Sequence, residues 1–179
     1  VLQIVNQHKL FPKYIEYHDH EWGKLNTDEE YLFEMLILES FQAGLSWQCI
    51  LNKREAFKEA YEDFDIDKVI EFDEEKIEQL RNNPNIIRNK LKIKASISNA
   101  KIFKSIQEEY QTFYDYLCTF THGQIIYETE KTTSALSDSI SNDLKKRGMK
   151  FVGSTIIYSY LQAIGVIYSH EKDCFLYKD

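Results

Sequence analysis

The stretch YIEYHDHEWG, Tyr14 to Gly23, sets three aromatic rings, two histidines and three carboxylates within ten positions. Such a set allows three kinds of chemistry or none. Imidazoles and carboxylates can ligate a metal. Rings can wall a pocket for a flat ligand, above all a cationic one, because ring faces attract positive charge. The stretch could also be a core helix with one polar face. Tyr14 and Tyr17, three apart, share a helix face, whereas His18 and His20, two apart, do not, so His20 is expected in solvent. A second stretch, ESFQAGLSW from Glu39 to Trp47, puts a carboxylate directly after the apolar run MLIL. The last turn of a helix disfavours negative charge. Glu39 is therefore either hydrogen-bonded to nearby backbone at a helix rim or a pocket carboxylate that faces a cation. The chain's two tryptophans, Trp22 and Trp47, both fall in these polar and aromatic stretches. One acid ringed by Tyr and Trp suits a flat, positively charged ligand.

The elements that must position these residues read as helices, from apolar residues at intervals of three and four. TDEEYLFEMLILES starts at Thr27, a candidate cap, with Glu30 completing a capping box and Leu32, Phe33, Leu36 and Ile37 as the apolar side. ILNKREAFKEAYEDF is amphipathic. DEEKIEQLRNN has Asp73 as N-cap and stops before Pro84. A long helix from about Arg88 carries Leu91, Ala95, Ile102 and Ile106 along its inner stripe. SDSISNDLKKRG ends at Gly148, and GSTIIYSYLQAIG, apolar nearly all round, reads as a central buried helix. HGQIIYETEKTTSAL is the loop candidate. With only two Pro and six Gly in 179 residues, a turn-dense β-sandwich is disfavoured, and the expectation is an all-α helical bundle with the N- and C-termini packed together. The length suits a single domain, 1–179, with a hairpin lobe over about 33–110 and a lobe formed by both termini.

Bulk properties exclude several classes. Three irregularly spaced cysteines argue against a disulfide framework and for a reducing compartment, so the cytoplasm is the expected location. No run of eighteen apolar residues predicts a membrane span, and the start VLQIVNQHKLFPK lacks the features of a signal peptide. There is no glycine-rich nucleotide motif of the dinucleotide or P-loop kind, so no nucleotide cofactor is expected. Cys49 and Cys118 are expected as small buried hydrophobes and His122 as a loop residue.

A net charge of −7 speaks against a general polyanion binder, yet two runs escape the acidic average: RNKLKIK, with Arg88, Lys90, Lys92 and Lys94, and KKRGMK, with Lys145, Lys146, Arg147 and Lys150. Each could be a solvated helix face. In NNPNIIRNKLKIK, however, two helices meet at Pro84-Asn85-Ile86-Ile87, and the second opens just after the turn. Free amides and the positive pole of that helix would bind phosphate, with Arg88, Lys90 and Lys92 adding charge. Such helix-hairpin-helix turns usually hold Gly, and Asn85 is the next best residue for a left-handed backbone.

The blocks YHDHEWG, LFEMLILESFQAGLSW, ILNKREAF, IIRNKLKI and LKKRGMKFVGSTIIYSYLQAIGV, collinear over nearly the whole chain, resemble the DNA-3-methyladenine glycosylase I family of the helix-hairpin-helix glycosylase superfamily. The resemblance implies that fold, with double-stranded alkylated DNA as partner and free 3-methyladenine as product. It implies a monofunctional reaction in which the damaged base is flipped into a pocket and its N-glycosidic bond hydrolysed. Glu39 matches the family's pocket carboxylate, Tyr17 and Trp47 its base-contacting aromatics, and Tyr14 and Trp22 further pocket residues. Leu45, in the AGL turn, would be the wedge that fills the gap left by the base, or else an ordinary loop leucine packed inward. Asn85, Arg88, Lys90 and Lys92 would meet the DNA backbone. A monomer is expected.

The family holds one structural zinc with two Cys and two His. His18, His170 and Cys174 match three of the ligands, but Val5 stands where the fourth, a cysteine, is expected, and Gln7 replaces a pocket tryptophan. Three possibilities follow: zinc on three protein ligands and water, recruitment of His8, or a metal-free clasp. Asp19 and Glu21 are expected to be solvated or capping. Two other functions compete with the glycosylase: a non-catalytic binder of alkylated DNA or modified bases, and a metal-dependent hydrolase built on HDHE.

Overall fold

The computed structural model describes residues 12–178, so Val5, Gln7 and His8 lie outside the described residues. The fold is mostly helical. In chain order the helices are α1 (Pro12–His20), α2 (Glu29–Gln42), α3 (Trp47–Ala60), α4 (Ile66–Val69), α5 (Glu74–Asn82), α6 (Lys90–Tyr110), α7 (Phe113–Thr121), α8 (Ala135–Lys146) and α9 (Ser154–Ala163). A 3-10 turn, Glu62–Phe64, follows α3. One departure from an all-α chain comes from the segment read as loop. Ile126–Tyr127 (β1) pairs in parallel with Ile167–Tyr168 (β2), each strand only two residues long. No helix among the described residues is long and apolar enough to cross a membrane.

The centre of the molecule is α2, whose residues from Leu32 to Phe41 are all buried. A helix hydrophobic on every side must be covered on every side; α3, α6, α7 and α9 all pack against it. Phe33 meets Phe103 of α6 at 5.3 Å between ring centroids, and Phe103 stacks on Phe113 of α7 at 4.0 Å. The start of α2 is pinned as well. Glu29 accepts hydrogen bonds from Gln107 Nε2 (2.7 Å) and from the Phe113 and Tyr114 amides (2.8 and 3.2 Å), a carboxylate seated on the positive end of α7.

Three sequence expectations shift here. The N-cap of α2 is Asp28, not Thr27. Asn26 Oδ1 holds the Asp28 amide at 2.9 Å, which aims Asp28 Oδ1 at the Tyr31 amide (2.9 Å) and moves the cap one residue along. Leu91, expected inside, is 72% exposed, because α6 begins at Lys90 and its first turn projects beyond the core. Ala95 and Ile106 are buried as expected, and the stripe also takes in Ile93, Ile97, Ala100 and Phe103. Asn85 is not left-handed, since no residue of the hairpin turn has a positive φ. An Asx turn does that work: Asn83 Oδ1 accepts from the Asn85 amide at 3.0 Å. The caps at Asp73 and Ser46 follow the rule that a short polar side chain receives the first free amides.

The end of α9 is joined to the chain following α1. The Gly23 amide donates to Gln162 O (3.0 Å) and the Asn26 amide to Ile164 O (3.0 Å). Gly165, with φ +76°, allows this approach: a Cβ there would overlap the backbone of Lys24 and Leu25. Since the overlap is with backbone, which cannot swing aside, Gly165→Ala is expected to lower stability by about 3 kcal/mol or more. Urea denaturation checks this, and a loss of less than about 1 kcal/mol would contradict the packing described.

Candidate active site

A cavity of about 260 Å³ opens between α1, the turn after it, the last turn of α2, the first turn of α3, α9 and the C-terminal segment. The sequence candidates converge on it. Tyr14, Tyr17, His18, Trp22, Glu39, Trp47, His170 and Cys174 all line it, although they come from positions as far apart as 14 and 174. Tyr14 and Tyr17 project from one face of α1, and Tyr17 lies 5.5 Å from Trp47 between ring centroids, tilted by 53°. The last turn of α1 is drawn tight beneath them, where the Glu21 and Trp22 amides both return to Tyr17 O at 2.9 Å.

Glu39 is the buried acid of the cavity. It is 3% exposed, and its Oε2 has no hydrogen-bond partner among the described residues. The same is true of Tyr17 OH and Trp47 Nε1. Unpaired buried polar atoms are rare and costly, and here three of them belong to residues that line one cavity. Burial pushes the Glu39 carboxyl up to about 8. Burial, and then the Glu39 carboxylate, push the Tyr17 phenol well above its ordinary value, so it remains a neutral hydroxyl.

Glu21, expected to be solvated or capping, does something else. Arg54 of α3 donates to Glu21 (2.8 and 2.9 Å) and to Glu34 of α2 (2.7 and 3.2 Å), clamping the segment after α1 onto two other helices. Nothing local in the chain hints at this, because the partners are 33 and 20 residues away. Also missed were Ser159 and Gln162, which line the cavity from α9. Their signal was legible in principle: two polar residues three apart on an otherwise apolar helix.

One end of the cavity holds the cluster of His18, His170 and Cys174, whose donor atoms all lie within 4.8 Å of one another. Cys174 Sγ is 3.7 Å from His18 Nε2 and 3.4 Å from His170 Nδ1. Tetrahedral zinc with ordinary Zn–N and Zn–S bonds sets such N···S edges at about 3.6 Å. The far nitrogens are already engaged, His18 Nδ1 with Asp19 Oδ1 (2.8 Å) and His170 Nε2 with Trp22 O (3.3 Å). If those are the N–H positions, both near nitrogens present lone pairs to the sulfur, and a single S–H can serve only one of them; a cation serves both. Burial, then the neighbouring His18, hold the His170 imidazole below its ordinary value, toward the neutral ligating form. The residues present thus fit a zinc ion. His20 is exposed, as expected, and does not join His18 in the cluster. Asp19 is half-buried on His18 rather than solvated. Cys49 and Cys118 are half-buried, not buried.

Beside the cavity, Gly44 (φ +82°) turns the chain between α2 and α3 and leaves Leu45 41% exposed, so it is not packed inward. Asn85, Arg88 and Lys90 are exposed at the hairpin. Its helix start is less free than expected, since Asn89 Oδ1 already accepts from the Leu91 and Lys92 amides (3.0 and 3.1 Å). Lys92 is a correction. Its side chain turns inward to 8% residue exposure, and Nζ donates to Phe41 O (2.8 Å) and Ala43 O (2.6 Å), so it faces no phosphate. Elsewhere tertiary acids thin the basic runs: Lys94 pairs with Glu74 (2.6 Å), and Arg147 with Asp143 (2.7 Å) and Glu109 (2.6 Å).

The profile of the methyladenine glycosylase family matches residues 7–177 of the sequence. The chain belongs to that family. It is 43% identical over 173 residues to DNA-3-methyladenine glycosylase 1 of Escherichia coli (strain K12), covering 93% of this chain and 92% of that one. A crystal structure of 3-methyladenine DNA glycosylase I superposes with a TM-score of 0.91 at 40% identity, over 95% of this chain and 97% of that chain. The 3-methyladenine DNA glycosylase I of Staphylococcus aureus, solved to show how it recognises 3-methyladenine, superposes at 0.88 with 36% identity, over 92% and 90%.

The buried carboxyl has a consequence for stability. Between its ordinary 4.5 and about 8, folded Glu39 holds a proton that the unfolded chain has released, so stability falls as pH rises through that window and levels off above it. Glu39→Gln removes this titration. The stability difference, variant minus wild type, is expected to grow from about pH 4.5 to about pH 8 by on the order of a few kcal/mol and then stay constant. Chemical denaturation across pH measures it, and a difference independent of pH would show that Glu39 is not held protonated.

Proposed function

We propose that this chain is a base-excision repair enzyme that hydrolyses the N-glycosidic bond of 3-methyladenine in alkylated double-stranded DNA, acting as a monomer in the cytoplasm. The single observation that carries the reading is Glu39, a buried carboxylate with an oxygen left unpartnered among the described residues, framed by the Tyr17 and Trp47 rings in a cavity large enough for one purine. Methylation at N3 gives adenine a positive charge. A base of that kind, flipped from the stack, supplies what the cavity lacks. Its charge favours ionised Glu39, its amino edge can donate to Oε2, and its face can lie against indole and phenol. Unmodified adenine gains less from each contact, so selectivity is differential binding of the cation.

The chemistry asks little of the protein. When the C1′–N9 bond breaks, its electron pair passes to N9 and neutralises the methylated ring, which leaves as free 3-methyladenine. Water adds to C1′ and gives up a proton. Glu39 holds the base, Tyr14 and Trp22 close the walls around it, and Leu45 enters the duplex in its place. Asn85, Arg88 and Lys90 hold the backbone. No lysine is required as a nucleophile, so the strand stays intact.

A zinc ion held by His18, His170 and Cys174 belongs to the same proposal. When bound it supplies a structural link between α1 and the C-terminal segment and takes no part in hydrolysis. Support comes from the N···S distances of 3.7 and 3.4 Å and the engaged far nitrogens. Elemental analysis of protein purified without added metal should find close to one zinc per chain, falling with Cys174→Ala; less than about a tenth of an equivalent ends this part of the proposal.

The function is tested by release of free methylated base from methylated duplex DNA. Glu39→Gln and Trp47→Ala should each slow release by about tenfold or more, since each removes a charge-assisted or stacking contact of roughly 1.5–3 kcal/mol. Unchanged activity in both variants overturns the pocket assignment. Tight binding of alkylated duplex with no release by the wild type would instead make the chain a damage binder.

A further inference from the structure

Lys92 joins two parts of the DNA-facing surface that lie far apart in the sequence. Its backbone amide belongs to the hairpin, as a donor to the Asn89 cap (3.1 Å). Its ammonium belongs to the other side, as a donor to Phe41 O and Ala43 O at the end of α2 (2.8 and 2.6 Å), with the Phe151 ring 5.8 Å away. Those carbonyls are among the last of α2, which no intrahelical amide can reach. A cation placed there also offsets the negative pole of the helix that carries Glu39. Ala43 is followed by Gly44 and the exposed Leu45, whose amide returns to Gln42 O at 2.6 Å. Lys53 of α3 donates to Asn85 O (3.1 Å) and Pro84 O (3.4 Å), so the hairpin turn is tied to α3 as well. The chain before Leu45 and the hairpin turn are thus each held by a lysine whose ammonium group is spent on their backbone carbonyls.

We propose that Lys92 is a positioning residue, which locks the 41–45 turn to the hairpin so that a backbone phosphate held at the hairpin fixes where Leu45 enters the duplex. The inference rests on the glycosylase reading and deepens it. Lys92 acts through Leu45 and through the end of α2, not through contact with the base or with DNA. A flexible turn would still allow a purine into the cavity, but the wedge would meet the duplex at random angles, and small misplacements of such groups cost up to about a hundredfold in rate.

The test compares wild type, Lys92→Met and Lys90→Met in two measurements. The first is the salt dependence of binding to undamaged duplex. Lys90→Met should lower the slope by about one unit, the signature of a lost phosphate contact, while Lys92→Met leaves it unchanged. The second is single-turnover base release from a paired 3-methyladenine and from the same lesion left unpaired in a bulge. Lys92→Met should slow release from the paired lesion by about tenfold or more, and from the unpaired lesion by less than about threefold, because an unpaired base needs no wedge. Lys92→Arg, which keeps donors in reach of the two carbonyls, should recover most of the paired rate. If Lys92→Met does not fold, Lys92→Gln carries the same two measurements. Equal losses on both lesions, a reduced salt slope, or an unchanged paired rate each overturn the proposal while leaving the glycosylase reading intact. A wild type that releases no base from either lesion overturns both.

Discussion

A carboxylic acid sealed among rings and denied a counter-charge is a standing penalty for the folded state, and the site is organised around keeping Glu39 in that condition. The same helix shows the alternative. Glu34, five residues earlier and also buried, is given Arg54 as a partner at 2.7 Å. Glu39 has no such partner among the described residues, and burial pushes it up to about 8. The contrast separates a paired structural carboxylate from an unpaired one that lines a cavity. It is sustained by the rigidity of α2, which is buried from Leu32 to Phe41 and cannot turn the carboxyl toward water without unpacking the core.

The walls of the cavity depend on the terminal clasp. Trp22 lies against both histidines of the Cys174 cluster, stacked on His18 (5.9 Å, 20°) and edge-on to His170 (4.8 Å, 84°). Gly23 next to it leaves room for the second histidine: a Cβ there would come within 2.9 Å of His170 Nε2. The clasp and the pocket therefore share a wall, and whatever holds the imidazoles in place also holds the indole. The Arg54 clamp on Glu21 and the bond from Gly23 to Gln162 fix the same segment from two further sides. Independent ties on one short turn explain how residues at opposite ends of the chain can form a single surface.

The two basic runs offer less free positive charge than the sequence suggests. Arg147, Lys94 and Lys92 are all engaged within the protein, the first two by acids and the third by backbone carbonyls. What remains exposed at the hairpin is a small set, Arg88 and Lys90 beside Asn85. Lys145, Lys146 and Lys150 of the second run are exposed as well, and the hairpin is tied to the Leu45 turn through Lys92.

Most helices were legible before any fold was known, because helical periodicity and short-range caps such as Asp73 depend on residues within a turn or two of each other, although α3 begins at Trp47 behind a Ser46 cap and not at Ile50. So was the set of residues that lines the cavity, because the collinear blocks carry Glu39, Tyr17, Trp22 and Trp47 with them. Local signals failed where a neighbouring residue competed for the same role, as when Asn26 steered the α2 cap to Asp28, or where a helix ran past its core contacts and left Leu91 in solvent. The fate of the charges and the pairing of the two short strands had to wait for the folded chain. Whether a lysine meets phosphate or a helix end is set by atoms about fifty residues away, as Lys92 and Ala43 show. Charge in a sequence has a position but no direction, and direction appears only when the chain has closed around it.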